Sequence, residues 1–237
     1  MPSRSGSRLL SSIAVALSAL LALTYLGPVV TVRAAVNCSG FTGEFDGTDP
    51  PGQHNYGVKA TIEKRVPALC GAQWSDSSIW VMTTGGCDEE YIQAGYGRHN
   101  GQADVFPFAQ YDLGVGTPFV DKQVAQAVPA GSKVYYTKYN FSTGNISATY
   151  DGTTLLSVNV DTSWCTGRGS QYEAETHDFG DDVPGTAANK ADVDNMLVIT
   201  GRAGNWVAPQ GLTVSSTSNR YDVDWAVNQT HMRVWTK

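Results

Sequence analysis

The chain has 237 residues, with 22 Asp or Glu against 16 Lys or Arg, and a formal net charge of −6. A hydrophobic fraction of 41% is typical of globular proteins and excludes wholesale disorder, and this length suits one domain with a substantial core. Because the balance is acidic and offers no basic patch for phosphates, we predict that the protein binds no nucleic acid.

Residues 1–34 have the features of an export signal. They contain no Asp or Glu, and Arg4 and Arg8 form a short basic region before a long apolar run. Val32 and Ala34 are small residues at the two positions that a signal peptidase reads. A transmembrane anchor is the alternative, since the apolar run is close to the ~20 residues that span a bilayer. We expect cleavage after Ala34, which would leave residues 35–237 as a single secreted domain without membrane attachment.

The number and spacing of the cysteines and histidines indicate which disulfides and metal sites the chain could form. An even number of cysteines in an exported chain predicts two disulfides, and their spacing leaves all three pairings open. No two cysteines have the close spacing of a zinc site, and the histidines are isolated, so we predict neither a metal nor another cofactor. The residues concerned are Cys38, Cys70, Cys87 and Cys165, with His54, His99, His177 and His231.

The rest of the chain reads as short β-branched and aromatic runs separated by Gly, Asn, Asp and Pro. The pair Asp151-Gly152 between two such runs favours a type I′ hairpin turn. So many short strands in one chain predict an all-β protein, an antiparallel β-sandwich of the jelly-roll type. The predicted strands are 56–64, 78–84, 90–97, 104–112, 119–127, 132–140, 145–150, 153–160, 170–177, 193–200, 220–227 and 230–236.

Two of these strands combine an apolar face with an unusual polar one, because side chains alternate across a strand. The apolar sets, expected in the core, are Ile92, Ala94 and Tyr96, and Tyr172, Ala174 and Thr176. The opposite sets are Tyr91, Gln93 and Gly95, and Gln171, Glu173, Glu175 and His177. The two glutamates of the second set should lie about 7 Å apart. A solvated sheet surface would show the same alternation, so parity alone leaves a functional role open.

A Trp-Val strand, a glycine turn and Cys87 are followed six residues later by Gln93 in Ile-Gln-Ala-Gly. This stretch resembles the segment that carries the catalytic glutamine of the secreted glutamic peptidases, or eqolisins. Cys165 followed by Tyr-Glu-Ala-Glu at 172–175 resembles the family's cysteine and catalytic glutamate strand. The resemblance implies a concanavalin-A-like sandwich in which Gln93 and Glu175 are catalytic, with Glu173 as the alternative glutamate.

The same resemblance implies a disulfide between Cys87 and Cys165, which leaves Cys38 to pair with Cys70. It also implies that substrate is bound by Trp80, Phe108 and Gln110. Three positions depart from the family pattern. Thr84 stands where the family has an acidic residue before the cysteine, and Phe108 and Gln110 stand where it has Trp and Glu.

The implied activity is a secreted endopeptidase, a monomer that acts on extracellular polypeptides. The glutamate would take a proton from water and then give it to the leaving amine, while the Gln93 amide orients the water and stabilises the oxyanion. We expect Gln93 and Glu175 to share one water molecule across neighbouring strands. Since adjacent like charges disfavour double ionisation, such a site should work at acid pH.

Two other functions fit the same residues. Aromatic strands beside a polar face also describe a non-catalytic module that binds glycans or another surface. A glycoside hydrolase could use Glu173 and Glu175, since retaining enzymes place two carboxyl groups about 5 Å apart. Asp178 would extend that acidic motif, but in a regular strand it points to the opposite face.

Overall fold

The structure, a computed structural model, describes residues 41–49, 55–85, 90–114, 116–160, 169–178, 180–216, 219–225 and 229–237. The chain divides into two units, Met1–Ala35 and Val36–Lys237, and all described residues lie in the second. The signal predicted in residues 1–34 therefore lies outside them. Three cysteines, Cys38, Cys87 and Cys165, also lie outside them, so both disulfide pairings stay predictions; Cys70 carries no free thiol.

The described residues form strands and no helix that could cross a membrane. In chain order the strands are β1 (Phe41–Asp49), β2 (Gly57–Glu63), β3 (Asp76–Thr84), β4 (Tyr91–His99), β5 (Phe106–Asp112), β6 (Val120–Gln123), β7 (Ser132–Asn140), β8 (Asn145–Tyr150), β9 (Thr153–Asn159), β10 (Gly169–Asp178), β11 (Gly185–Thr186), β12 (Asn189–Ile199), β13 (Trp206–Val207), β14 (Thr213–Ser216), β15 (Tyr221–Trp225) and β16 (Met232–Thr236).

Every predicted strand overlaps an observed one, but the sequence did not indicate β1, β11, β13 or β14. Strand β1 is rich in Gly and Asp, which have low strand propensity. It is a strand because it pairs with β10 on one side and β14 on the other, so long-range hydrogen bonds override local preference. The two-residue strands β11 and β13 are too short to show any alternation.

The strands form two sheets, as predicted for an antiparallel sandwich. The first sheet has the order β14-β1-β10-β3-β4-β5-β6, and the second has β15-β16-β11-β12-β2-β7-β8-β9, with β13 beside β12. Among the described strands all pairings are antiparallel except one parallel bridge between β11 and β16. At the turn between β8 and β9, Asp151 and Gly152 both have positive φ, 46° and 84°, which confirms the type I′ hairpin.

The core lies between the sheets and contains both predicted core sets, all fully buried. Several hydrogen bonds join the sheets across this core, among them the following two. The hydroxyls of Thr83 on β3 and Thr137 on β7 lie 2.5 Å apart, and the Tyr172 hydroxyl of β10 donates to the Leu197 carbonyl of β12 over 3.0 Å. With one face of β3, β4 and β10 committed to the core, their other side chains must lie on the outer face of the first sheet.

Candidate active site

The outer face of the first sheet is organised in rows, because residues opposite each other in an antiparallel ladder share a face. Each row crosses β10, β3, β4 and β5 in that order. The glutamine row is Gln171, Met82, Gln93 and Gln110; the tryptophan row is Glu173, Trp80, Gly95 and Phe108; the serine row is Glu175, Ser78, Gly97 and Phe106. A histidine row follows, with Asp76 opposite His99 and His177 one step beyond the last registered pair of β10 and β3.

Most residues of these rows line a cavity of about 580 Å³ together with Tyr91 and Phe119. The volume is in the range of small-molecule and peptide sites. Its floor is well packed, since Gln93, Trp80 and Phe108 are 6%, 3% and 5% exposed. The cavity brings together both candidate glutamates, the candidate glutamine and all three predicted substrate-binding residues.

Glycine at position 95 is required by the close approach of β3. A Cβ atom there would lie 2.6 Å from the Trp80 Cβ and would also collide with the Ile79 carbonyl oxygen. Gly95 therefore lets the Trp80 side chain occupy the floor of the tryptophan row. This is the physical reason for the glycine in the Gln-Ala-Gly motif.

The amide of Gln93 is oriented by its neighbour in the glutamine row. Its Nε2 donates a hydrogen bond to Oε1 of Gln110 on β5. With the amide nitrogen directed toward β5, the Gln93 carbonyl oxygen points away from that strand. The polar side chain is thus held in one orientation in a largely buried position.

The expectation that Gln93 and Glu175 meet across neighbouring strands is wrong, because β3 lies between β4 and β10. Through Met82 of β3, Gln93 lies in the same row as Gln171 of β10. Along β10, Glu173 is two residues beyond Gln171 and Glu175 is four residues beyond it. Strand spacings of about 4.8 Å and a rise of about 3.3 Å per residue put the Cα atoms of Gln93 and Glu173 about 12 Å apart, and those of Gln93 and Glu175 about 16 Å apart. Of the two glutamates, Glu173 is therefore the nearer to Gln93 along the sheet.

Both oxygens of Glu175 contact other side chains of the cavity. Oε2 accepts a hydrogen bond from the Trp80 indole Nε1 at 3.2 Å, and Oε1 lies 2.8 Å from Nε2 of His177. His177 contacts Asp76 in turn, with Nδ1 2.5 Å from Oδ1, and Asp76 Oδ2 lies 3.5 Å from His99 Nδ1. A continuous polar chain therefore runs from the histidine row to Trp80.

The acidic and histidine side chains of this series of contacts shift one another's pKa values. The close contacts of His177 with the carboxyl groups of Asp76 and Glu175 outweigh its burial and raise its pKa to about 10. Burial alone would raise the pKa of Asp76, but hydrogen bonds to His177 and His99 outweigh it and leave the pKa below its usual value. A hydrogen bond to Asp76 likewise raises the pKa of His99. With this raised pKa, His177 is an imidazolium at neutral and acid pH, and it lies between the side chains of Asp76 and Glu175.

Sequence reasoning missed Asp76 and treated His177 as an isolated surface group. Asp76 lies two residues before the predicted strand at 78–84, and only the observed start of β3 brings it opposite His99. Parity did place His177 on the polar face, which was the one available signal. Among the described residues no group of three or more His, Cys, Asp or Glu could hold a metal ion.

No family model and no curated protein matches this sequence. Among solved structures, the chain is similar to scytalido-glutamic peptidase with a transition state analog inhibitor, at TM-score 0.60 and 14% identity over 85% of this chain and 100% of that one. It is also similar to SCP-B, a member of the eqolisin family of peptidases in complex with the tripeptide Ala-Ile-His, at TM-score 0.56 and 16% identity over 85% of this chain and 100% of that one.

A weaker likeness, at TM-score 0.38 and 8% identity, is to a glycoside hydrolase family 16 endo-glucanase from Bacteroides ovatus, which covers 57% of this chain and 66% of that one. At the identities found, the likeness to the peptidase structures shows a shared fold.

Proposed function

We propose that this protein is a secreted endopeptidase that hydrolyses peptide bonds with a water molecule activated by Gln93 and a glutamate of β10. One observation carries the proposal: Gln93 and two glutamates line a single cavity on the outer face of a sandwich with the fold of known glutamic peptidases. The short sequence motifs around Gln93 and Glu173-Ala174-Glu175 support the same assignment.

Glu173 is the better candidate for the water-activating glutamate, although the motif resemblance favoured Glu175. The row arrangement puts Glu173 one row from Gln93, whereas Glu175 lies two rows away. Both oxygens of Glu175 also contact Trp80 or His177. A general base must come within hydrogen-bond reach of the water that it deprotonates, so geometry favours the nearer glutamate.

The proposed reaction needs no group beyond these side chains. Glu173 takes a proton from water, whose oxygen attacks the scissile carbonyl, and the Gln93 amide donates N–H to the oxyanion that forms. Glu173 then gives the same proton to the leaving amine, which restores the carboxylate. Proton transfer of this kind contributes roughly 10²–10⁴-fold to the rate.

The substrate that fits this cavity is an extracellular polypeptide. Trp80 and Phe108 offer an apolar floor for a side chain, and Gln110, with Gln171 in the same row, offers amide groups for the peptide backbone. Cavities with this mixture of apolar surface and a few directed polar groups are typical ligand sites. Secretion is part of the proposal and depends on the predicted signal in residues 1–34.

Casein digestion at about pH 3–5 tests the proposal, with protein collected from the medium of an expressing host. We expect hydrolysis that resists pepstatin-type, serine-directed and metal-chelating inhibitors and that is lost in Glu173→Gln. The matched control is Glu63→Gln, a glutamate of β2 that pairs with Arg65 outside the cavity. Binding on a glycan array without proteolysis would support the non-catalytic alternative, and hydrolysis of a glycan would support the glycosidase.

A further inference from the structure

The histidine row closes one end of the cavity with alternating charges. Asp76 on β3 lies between His177 on β10 and His99 on β4, and His177 also contacts Glu175. The side chains of Asp76 and Glu175 are 18% and 13% exposed, so solvent only partly screens their electrostatic interactions with His177. His99 is the most open member, at 47%.

We propose that His177 is a positioning residue of the candidate site: its imidazolium bridges Asp76 and Glu175 and holds Glu175 as a compensated anion against Trp80. This inference rests on the proposed function. The contacts that carry it are the two ion pairs of His177, at 2.5 and 2.8 Å, and the hydrogen bond of 3.2 Å from Trp80 to Glu175.

The bridge has two consequences for the neighbouring Glu173. It fixes the indole of Trp80, which stands beside Glu173 in the tryptophan row and forms the floor on which substrate would lie. It also compensates the charge of Glu175, which is on the same face of the same strand as Glu173. Without the imidazolium, a second uncompensated carboxylate would oppose the ionised state that a general base requires.

The charged groups that face His177 come from several strands. Asp76 on β3 and Glu175 on β10 are the anions in contact with it, and His99 on β4 is a further cation linked through Asp76. Asp121 on β6 acts on His99 and is the more distant anion. Removing His177 therefore makes the site more negative, whereas removing the Asp76 charge makes it more positive.

The experiment measures kcat and KM against pH for the full-length secreted protein and for H177Q, D76N and the double variant. We expect H177Q to lower kcat about tenfold with little change in KM, because a displaced floor misaligns the reacting groups. The acid limb of its profile should move to higher pH by about half a unit, while D76N moves the limb to lower pH. The double variant should return the limb to the wild-type position.

The control is H231Q, which changes a histidine outside the cavity with the same 34% exposure and an ion pair of 2.9 Å to Asp192. Its profile should match the wild type. Acid limbs that move in the same direction in H177Q and D76N, or that do not move, would overturn the proposal. A merely structural role would lower activity without opposite shifts.

Unfolding separates failure of this inference from failure of the proposed function. If the wild type hydrolyses no peptide, the peptidase proposal fails, yet the bridge is still measurable as non-additive changes in urea midpoint among H177Q, D76N and their double variant at about pH 5. Additive midpoints would show that His177 and Asp76 do not act together, and the proposal would fall on that result alone.

Discussion

Trp80 on β3 donates its indole N–H to Oε2 of Glu175 on β10, over 3.2 Å, although the two residues belong to different rows of the ladder. The contact draws Glu175 toward β3 and the floor of the cavity. With His177 at the other oxygen, both carboxyl oxygens of Glu175 are in contact with side chains of the cavity. Glu173, in the same row as Trp80, lies closer to the glutamine row.

The two glutamates should therefore differ in their effect on catalysis. Glu173→Gln should lower kcat by about 10³-fold, since it removes the general base, and Glu175→Gln by about tenfold, since it only loosens the floor. Initial rates on a peptide substrate at acid pH measure both. The opposite ranking would return the role of base to Glu175.

Gln93 should contribute through the oxyanion, and Gln110 through the orientation of Gln93. Gln93→Ala should lower kcat by about 10²-fold, a typical loss for one oxyanion donor. Gln110→Ala, which removes the acceptor of the Gln93 amide, should cost about tenfold. The exposed Gln210 provides the control variant. Equal activity of Gln93→Ala and wild type would contradict the proposed role.

Gly95→Ala should destabilise the protein and disturb the cavity together. Its Cβ would overlap the Trp80 Cβ at 2.6 Å, and relieving such overpacking costs about 1–3 kcal/mol. Urea unfolding gives the stability, and the position of the tryptophan emission reports the displaced indole. Gly201→Ala, where a Cβ meets no atom within 4 Å, should change neither.

The hydroxyl pair of Thr83 and Thr137 predicts a non-additive effect on stability. Either single change to Val leaves one fully buried hydroxyl without its partner and should cost about 1–3 kcal/mol. The double change replaces both polar groups and should cost less than the sum. A double-mutant cycle in the free energy of unfolding measures the coupling, and strict additivity would show that the bond contributes nothing specific.

Asp181 should make stability depend on pH in the acid range. Burial, together with the charge of Asp178, raises its pKa to about 6 against the opposing hydrogen bond from the Cys70 N–H. The folded state then binds this proton more tightly than the unfolded state. The protonated Asp181 therefore adds to the free energy of unfolding. This contribution is fully present below about pH 4 and is lost as pH rises through about 6.

Asp181→Asn should remove that dependence. It keeps an acceptor for the Cys70 N–H but carries no charge, so the variant should gain about 1–2 kcal/mol relative to wild type between about pH 4 and pH 7. Urea unfolding of both proteins across this range measures the difference, with Asp194, whose side chain is 51% exposed, changed to Asn as control. A constant difference at all pH values would contradict the assignment.

Local sequence determined most of the strands and the faces of those that line the site. Alternation placed Ile92, Ala94 and Tyr96 in the core and Gln93 on the opposite side, because the two-residue period of a strand depends on the strand alone. The Asp151-Gly152 turn was equally local, since both residues tolerate positive φ. The predicted polar face of β10 was likewise found to line the cavity.

Tertiary structure alone decided which polar residues meet. Strand order placed β3 between β4 and β10, which set Glu173 nearer to Gln93 than Glu175 is and brought Asp76 against His177. Strand order and register arise from packing and hydrogen bonds between segments far apart in the chain. Local sequence patterns therefore do not predict them. The same long-range pairing made a strand of the glycine- and aspartate-rich β1.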